Sequence, residues 1–192
     1  MISASRTFVV SAHGDSSCIR GFLKVFAFCG SINNDAGIYR GMIEEALSSL
    51  GIVLPSPPAP AGSYVPVVIT GNLAFVAGQI PMEAGKLKFA GKVGKDLPIE
   101  AGQQAARLCT VNALAQLKVA LGSLDRIMKI VKVTGYVNCE PTFTEQPKVI
   151  NGSSDLLVQL FGEKGRHARA AVGVSSLPLD GAVEVEFVAE IS

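Results

Sequence analysis

The 192-residue chain carries 17 basic and 16 acidic residues, a formal net charge of +1, with 48% of its residues apolar and 17% charged. That length supports one full core rather than two, and so apolar a composition excludes a disordered chain. It also favours an oligomer that buries more surface, while the near-neutral balance makes nucleic acid an unexpected partner.

Residues 1–41 hold Arg6, Arg20, Lys24 and Arg40 against Asp15 and Asp35, with several serines. Two readings stay open: a targeting segment, either a transit peptide for a mitochondrion or other organelle or a poor secretory signal, or a dispensable or mispredicted extension with Met42 as the natural start. The domain organisation expected is therefore an extension over 1–41 and one folded domain over 42–192. No run of eighteen apolar residues exists, and Gly21–Cys29 is short and broken by Lys24, so no membrane span is expected. Cys18, Cys29, Cys109 and Cys139 form no C-x-x-C pair, and His13 and His167 are the only histidines. A disulfide framework and a metal site are both unexpected. A reducing compartment, the cytoplasm unless residues 1–41 direct otherwise, fits thiols used as small apolar groups.

Met42–Leu50 places Ile43, Ala46, Leu47 and Leu50 on one helical face, and Gly51 ends it. Four prolines between Pro55 and Pro60 make the next stretch extended. Tyr64–Thr70 and Leu73–Gln79 read as a hairpin around Gly71-Asn72, and Lys86–Val93 as a weaker strand. A helix follows from Pro98 to Gly122, with Ala105, Leu108, Cys109, Asn112, Ala115 and Val119 on the inward face. Ile127–Asn138 alternates as a strand, with Ile127, Val131 and Val133 apolar. Pro147–Phe161 reads as a helix, with Val149, Ser153, Leu156, Leu157, Leu160 and Phe161 inward and Gly162 as its stop. Ala168–Val174 and Val183–Ile191 close the chain as strands. Two helices separated by a strand imply crossovers and an α+β fold, a mixed sheet with both helices on one face. The other face then needs a cover, for which a second subunit is the obvious candidate.

Generic catalytic motifs are missing: there is no Walker loop, G-x-S-x-G, H-E-x-x-H or G-x-G-x-x-G. What remains is charge among apolar neighbours. Arg169 sits in Ala168-Arg169-Ala170-Ala171-Val172; on the surface it would be unremarkable, but half-buried it would need an anion. Glu184 and Glu186 alternate with Val183, Val185 and Phe187, a pattern that by itself sends both carboxylates to water. Asn151, Ser153, Ser154 and Asp155 read as N-capping or a polar helix face, and His167 beside Arg166 as a satisfied or exposed histidine.

Several stretches in order resemble the Rid (YjgF-like) family, also known as L-PSP endoribonucleases. They are Ala61-Gly62-Ser63-Tyr64-Val65-Pro66, Phe75-Val76-Ala77-Gly78-Gln79-Ile80-Pro81, Val149-Ile150-Asn151-Gly152, and Arg169-Ala170-Ala171-Val172 running to Leu177-Pro178 and Val183-Glu184-Val185-Glu186. The opening Leu54-Pro55-Ser56-Pro57-Pro58-Ala59-Pro60 and the Phe161–Arg169 link resemble one YjgF-like branch. The resemblance implies a chorismate-mutase-like fold, a homotrimer with clefts between subunits and no cofactor. The activity implied is hydrolysis of 2-aminoacrylate-type enamines and imines to 2-keto acids and ammonia. By the same resemblance Arg169 grips the substrate carboxylate and Glu184, from a neighbouring strand, handles the attacking water. Tyr64 and Asn151 line the cleft, and backbone N–H groups around Ala170 and Ala171 complete the cradle. Ala77 stands where the family usually has serine, Ala171 where many deaminases have cysteine, and Gly173 where glutamate is frequent. The alternatives are a trimer that binds small carboxylates without turnover, and the endoribonuclease or translation inhibitor of the older family label.

Overall fold

The computed structural model describes residues 42–57 and 62–192; both readings of residues 1–41, and part of the proline segment, lie outside the described residues. Helix α1 spans Met42–Ser49, β1 Val67–Thr70, β2 Leu73–Gln79, β3 Met82–Glu83, β4 Lys86–Leu87, α2 Ile99–Leu121, β5 Ile127–Asn138, α3 Gln146–Phe161, β6 Ala168–Val174 and β7 Val183–Ile191. Five strands form one sheet in the order β1-β2-β7-β5-β6. Only β5 and β6 run parallel, because α3 carries the chain back across the sheet between them. This is the mixed α+β arrangement expected, with α2 and α3 on one face.

The core lies between that face and the two helices. Phe187, Val133 and Val137 from the sheet meet Leu114 and Leu117 of α2 and Ile150, Leu156 and Leu157 of α3, all nearly or fully buried. Each such side chain contributes about 1.5–3 kcal/mol of transfer free energy. Glycines let the layers approach. A Cβ on Gly152 of α3 would strike the Gln103 carbonyl of α2, and one on Gly135 of β5 would strike the Ile150 side chain. Helix α1 joins the helical layer at its end, through Ile43 N–H donating to Asp125 Oδ1 (3.1 Å) and a Glu44–Lys118 ion pair.

Several expectations need correction. The first strand begins at Val67, not Tyr64, leaving Tyr64 in an irregular approach and 52% exposed. The Lys86–Val93 strand shrinks to Lys86–Leu87, paired with Met82–Glu83 in a separate two-stranded ribbon; the glycines at 91 and 94 both take positive φ and bend the chain away. Val119 is 71% exposed because it lies on the outward face of the turn whose inward face buries Leu117 and Leu121, and Leu50 is also exposed beyond the end of α1. Val131 points outward because pairing shifts between Ile127 and Lys129 and again between Ile130 and Lys132, each shift upsetting the two-residue alternation.

Candidate active site

Arg169 pairs in register with Val133 on β5, so its side chain rises from the helix-covered face at the edge of the sheet. There it meets α3. Asn151 and Ser154, three residues apart, share one face of that helix. Arg169 Nη1 donates to Asn151 Oδ1 at 2.8 Å and to Ser154 Oγ at 3.0 Å. Those two bonds use both hydrogens of Nη1. Among the described residues no carboxylate pairs with Arg169, and its Nε and Nη2 make no hydrogen bond, although the residue is partly buried. The guanidinium is thus held by one nitrogen and presents its other edge, the geometry that grips a carboxylate through two charge-assisted bonds.

Asn151 lies in the second turn of α3, while the N-cap is Glu145 without a side-chain cap bond, so a capping role is excluded. Ser153, next to it, is buried and bonded to Thr110 Oγ1 at 2.7 Å, a purely internal contact between α3 and α2. The satisfied histidine is confirmed. His167 Nδ1 lies 2.6 Å from the Gly165 carbonyl and Nε2 lies 3.1 Å from Ser154 Oγ. Burial, the largest influence, holds the imidazole pKa below its ordinary value; the Gly165 carbonyl opposes this and the Arg169 charge adds to it.

Glu184 sits elsewhere. It is on β7, and β5 lies between that strand and β6, so the two are not neighbours. Glu184 pairs with Tyr136 and Glu186 with Thr134, on the sheet face opposite the helices. Arg169 and Glu184 therefore leave opposite faces of one sheet. Ala170, opposite Thr134, faces the open side with Glu186, whereas Ala171, opposite Gly135, faces the helices with Arg169. Tyr64 precedes β1, the far edge of the sheet, four strand spacings or about 19 Å from β6. One chain brings together Arg169, Asn151 and, on the same strand, Ala171; it does not bring Tyr64 or Glu184 to them.

The Glu184 carboxylate lies over Gly78 of β2, where a Cβ would collide with Oε1 and stand 2.8 Å from Cδ. Gly78 thus makes the berth for Glu184. Burial first, and the neighbouring Glu186 charge second, raise the pKa of Glu184 above the usual carboxylate value. Glu186 differs in having a fixed partner, accepting from the Tyr136 hydroxyl at 3.2 Å. Sequence reasoning missed that pair, which only the β5–β7 register creates, and missed the berth over Gly78. A hollow of about 290 Å³ on this open face is lined by Val68, Phe75, Ala77, Lys132, Thr134 and Glu186.

A larger hollow, about 350 Å³, lies at the C-terminal ends of β5 and β6 beside Lys92, Cys139 and Gln146, and does not include Arg169. The Lys92 ammonium there spends its three hydrogens on Asn138 Oδ1, the Cys139 carbonyl and the Ser175 carbonyl, so it braces three segments and has no donor left for a ligand. Cys109 and Cys139 are buried free thiols, and burial raises the Cys109 pKa well above its ordinary value. Among the described residues no group of three or more His, Cys, Asp or Glu could hold a metal ion, and no helix is long and apolar enough to cross a membrane.

The sequence model of the family described as "YjgF/chorismate mutase-like, putative endoribonuclease" matches residues 44–191. The chain belongs to this YjgF family. Among its relatives, the protein TCP17 of Trypanosoma cruzi is 44% identical over 79% of this chain and 96% of its own length. The structure of protein Atu1372 from Agrobacterium tumefaciens, of unknown function, is 47% identical with a TM-score of 0.75, covering 80% of this chain and 95% of that one. TdcF of Escherichia coli, whose structure holds bound serine, is 28% identical with a TM-score of 0.50, covering 71% and 94% of the two chains. The YjgF-like fold expected from the motifs is therefore the fold found.

Proposed function

We propose that this YjgF-family chain hydrolyses 2-aminoacrylate-type enamines and imines to 2-keto acids and ammonia, as a homotrimer whose clefts combine residues of adjacent subunits. The observation that carries the reading is Arg169: a partly buried guanidinium, tied by Nη1 to Asn151 and Ser154, with its other edge free and no carboxylate of the described residues against it. A cation so placed calls for an external anion. TdcF, with serine bound, is a relative that takes a small molecule bearing a carboxylate.

The chemistry follows from the residue types. With the substrate carboxylate on Arg169, the enamine tautomerises to the imine and water adds to its C2 carbon. Glu184, ionised, takes a proton from that water as the C–O bond forms. It gives that proton to nitrogen, leaving a carbinolamine, then takes the new hydroxyl's proton and passes it to nitrogen as C=O forms and the C–N bond breaks, so 2-aminoacrylate and water become pyruvate and ammonia. The raised pKa of Glu184 suits a group that must both accept and give a proton. Because Arg169 and Glu184 leave opposite faces of the sheet, they meet only if the open face of one subunit, bearing Glu184, is laid against the β6 edge of the next. Exposed Val68, Phe75 and Val172 on that face favour such a covering.

The test is release of pyruvate and ammonia from 2-aminoacrylate generated in situ by a pyridoxal-phosphate dehydratase, with wild type and Arg169→Ala. Catalysis lost in the variant supports the reading. Stabilisation of the wild type by small carboxylates without product release would make this a binding protein. Light scattering that finds a monomer at micromolar concentration would remove the shared cleft.

A further inference from the structure

The link after α3 does more than return the chain to the sheet. It winds a 3₁₀ turn over Gly162–Gly165, with Gly165 so close to α3 that a Cβ would strike the Leu157 carbonyl. That contact sets His167 against Ser154, and the protons along the chain of bonds then follow. A carbonyl can only accept, so His167 Nδ1 carries the hydrogen toward Gly165. Nε2 is then a lone pair, and the Ser154 hydroxyl donates to it. The hydroxyl oxygen keeps its own lone pairs for the Arg169 Nη1 hydrogen. A neutral imidazole is thus joined to the free guanidinium through one hydroxyl.

We propose that His167, acting through Ser154, makes the Arg169 fork a proton-coupled site, in which a small carboxylate and a proton on His167 bind cooperatively. This rests on the reading of Arg169 as a carboxylate anchor. Without a ligand the Arg169 charge opposes protonation of His167. A carboxylate on the Nε and Nη2 edge cancels that charge, so the imidazolium forms more readily; its Nε2–H then donates to Ser154 Oγ, whose second lone pair still serves Arg169. By reciprocity, a protonated His167 tightens the hold on the carboxylate. The affinity therefore rises as pH falls through the titration of His167. The other charged groups on the surrounding elements are Lys148 and Asp155 on α3, Glu163, Lys164 and Arg166 in the turn, and Lys129 and Lys132 on β5. Glu163 and Arg166 pair with each other, and the Arg169 charge is what lowers the imidazole pKa beyond burial.

His167 is a positioning residue, so its test reads protons directly. The chain has two histidines, and His167→Gln assigns the His167 ring signal by its loss from the proton NMR spectrum. That signal is titrated in the wild type with and without pyruvate. Pyruvate affinity is measured calorimetrically between about pH 5 and about pH 8 in Glu184→Gln protein, which removes the carboxyl whose pKa is raised. The expected result is a His167 titration moved to higher pH by pyruvate, and binding about fivefold tighter at the acid end, a slope that His167→Gln abolishes. Pyruvate that binds equally at every pH, leaving the His167 signal unmoved, overturns the coupling while sparing the Arg169 anchor. Pyruvate that binds at no pH overturns the anchor itself and the coupling with it.

Discussion

Replacing Gly78 by alanine would separate catalysis from stability at this site. The added Cβ would overlap Glu184 Oε1 and stand 2.8 Å from Cδ and 3.1 Å from Cγ, and the atoms it meets are those of one flexible side chain rather than backbone. Gly78 has no positive φ, so alanine strains no dihedral there. Swinging a half-buried carboxylate aside into solvent costs about 1 kcal/mol or less, which for a chain of this size lowers Tm by about 2–4 °C. The catalytic cost is larger, because a general base moved out of reach forfeits on the order of a hundredfold in kcat. The pH profile adds a signed readout. In the proposed reaction Glu184 is a base only when ionised, and burial with Glu186 nearby raises its pKa, so activity should climb as pH rises through that raised value. A solvated carboxylate ionises earlier, and residual activity in Gly78→Ala should begin its climb at lower pH. Thermal melts by circular dichroism and ammonia release from 2-aminoacrylate measure the two effects on one preparation. Undiminished kcat refutes the berth, and a fall in Tm beyond about 8 °C means Gly78 serves packing instead.

Arg169→Lys keeps the charge but loses the planar fork and the shared hold on Asn151 and Ser154; kcat/KM should fall by about thirty- to a thousandfold, or roughly 2–4 kcal/mol, in the same assay. Glu184→Gln should lower kcat about a hundredfold while sparing pyruvate binding, whereas Glu186→Gln, whose carboxylate is occupied by Tyr136, should lower it far less; equal damage removes the assignment to Glu184. Gly152→Ala drives a methyl into the Gln103 backbone and should cost about 1–3 kcal/mol by denaturant unfolding, since two packed helices must part. If the folded domain is 42–192, as proposed from the sequence, deleting residues 1–41 should leave Tm within a few degrees; a large drop in a thermal melt places them in the core.

Local rules were enough for the elements whose partners lie on one side. Strand β7 and helix α3 were legible residue by residue, since period-2 alternation from Val183 to Ile191 and 3/4 spacing from Val149 to Phe161 each report a single buried face. The YjgF-type motifs identified the family and picked out Arg169, Asn151 and Glu184 by position. Local rules failed where tertiary contacts redirect the chain: at Val131, where register shifts upset the alternation, and at Lys86–Val93, where glycines turn a strand into a bend. Which face of the sheet each charge leaves, and what meets it there, depends on strands and helices far apart in sequence. Arg169 is held by a helix fifteen and eighteen residues away, and Glu184 lies over a glycine from the first hairpin. No spacing rule along the chain encodes those meetings. Only the register of β5 with its two neighbours sets Arg169 among the helices and Glu184 on the open side, because in a pleated sheet the face a residue occupies is decided by pairing and not by its own side chain.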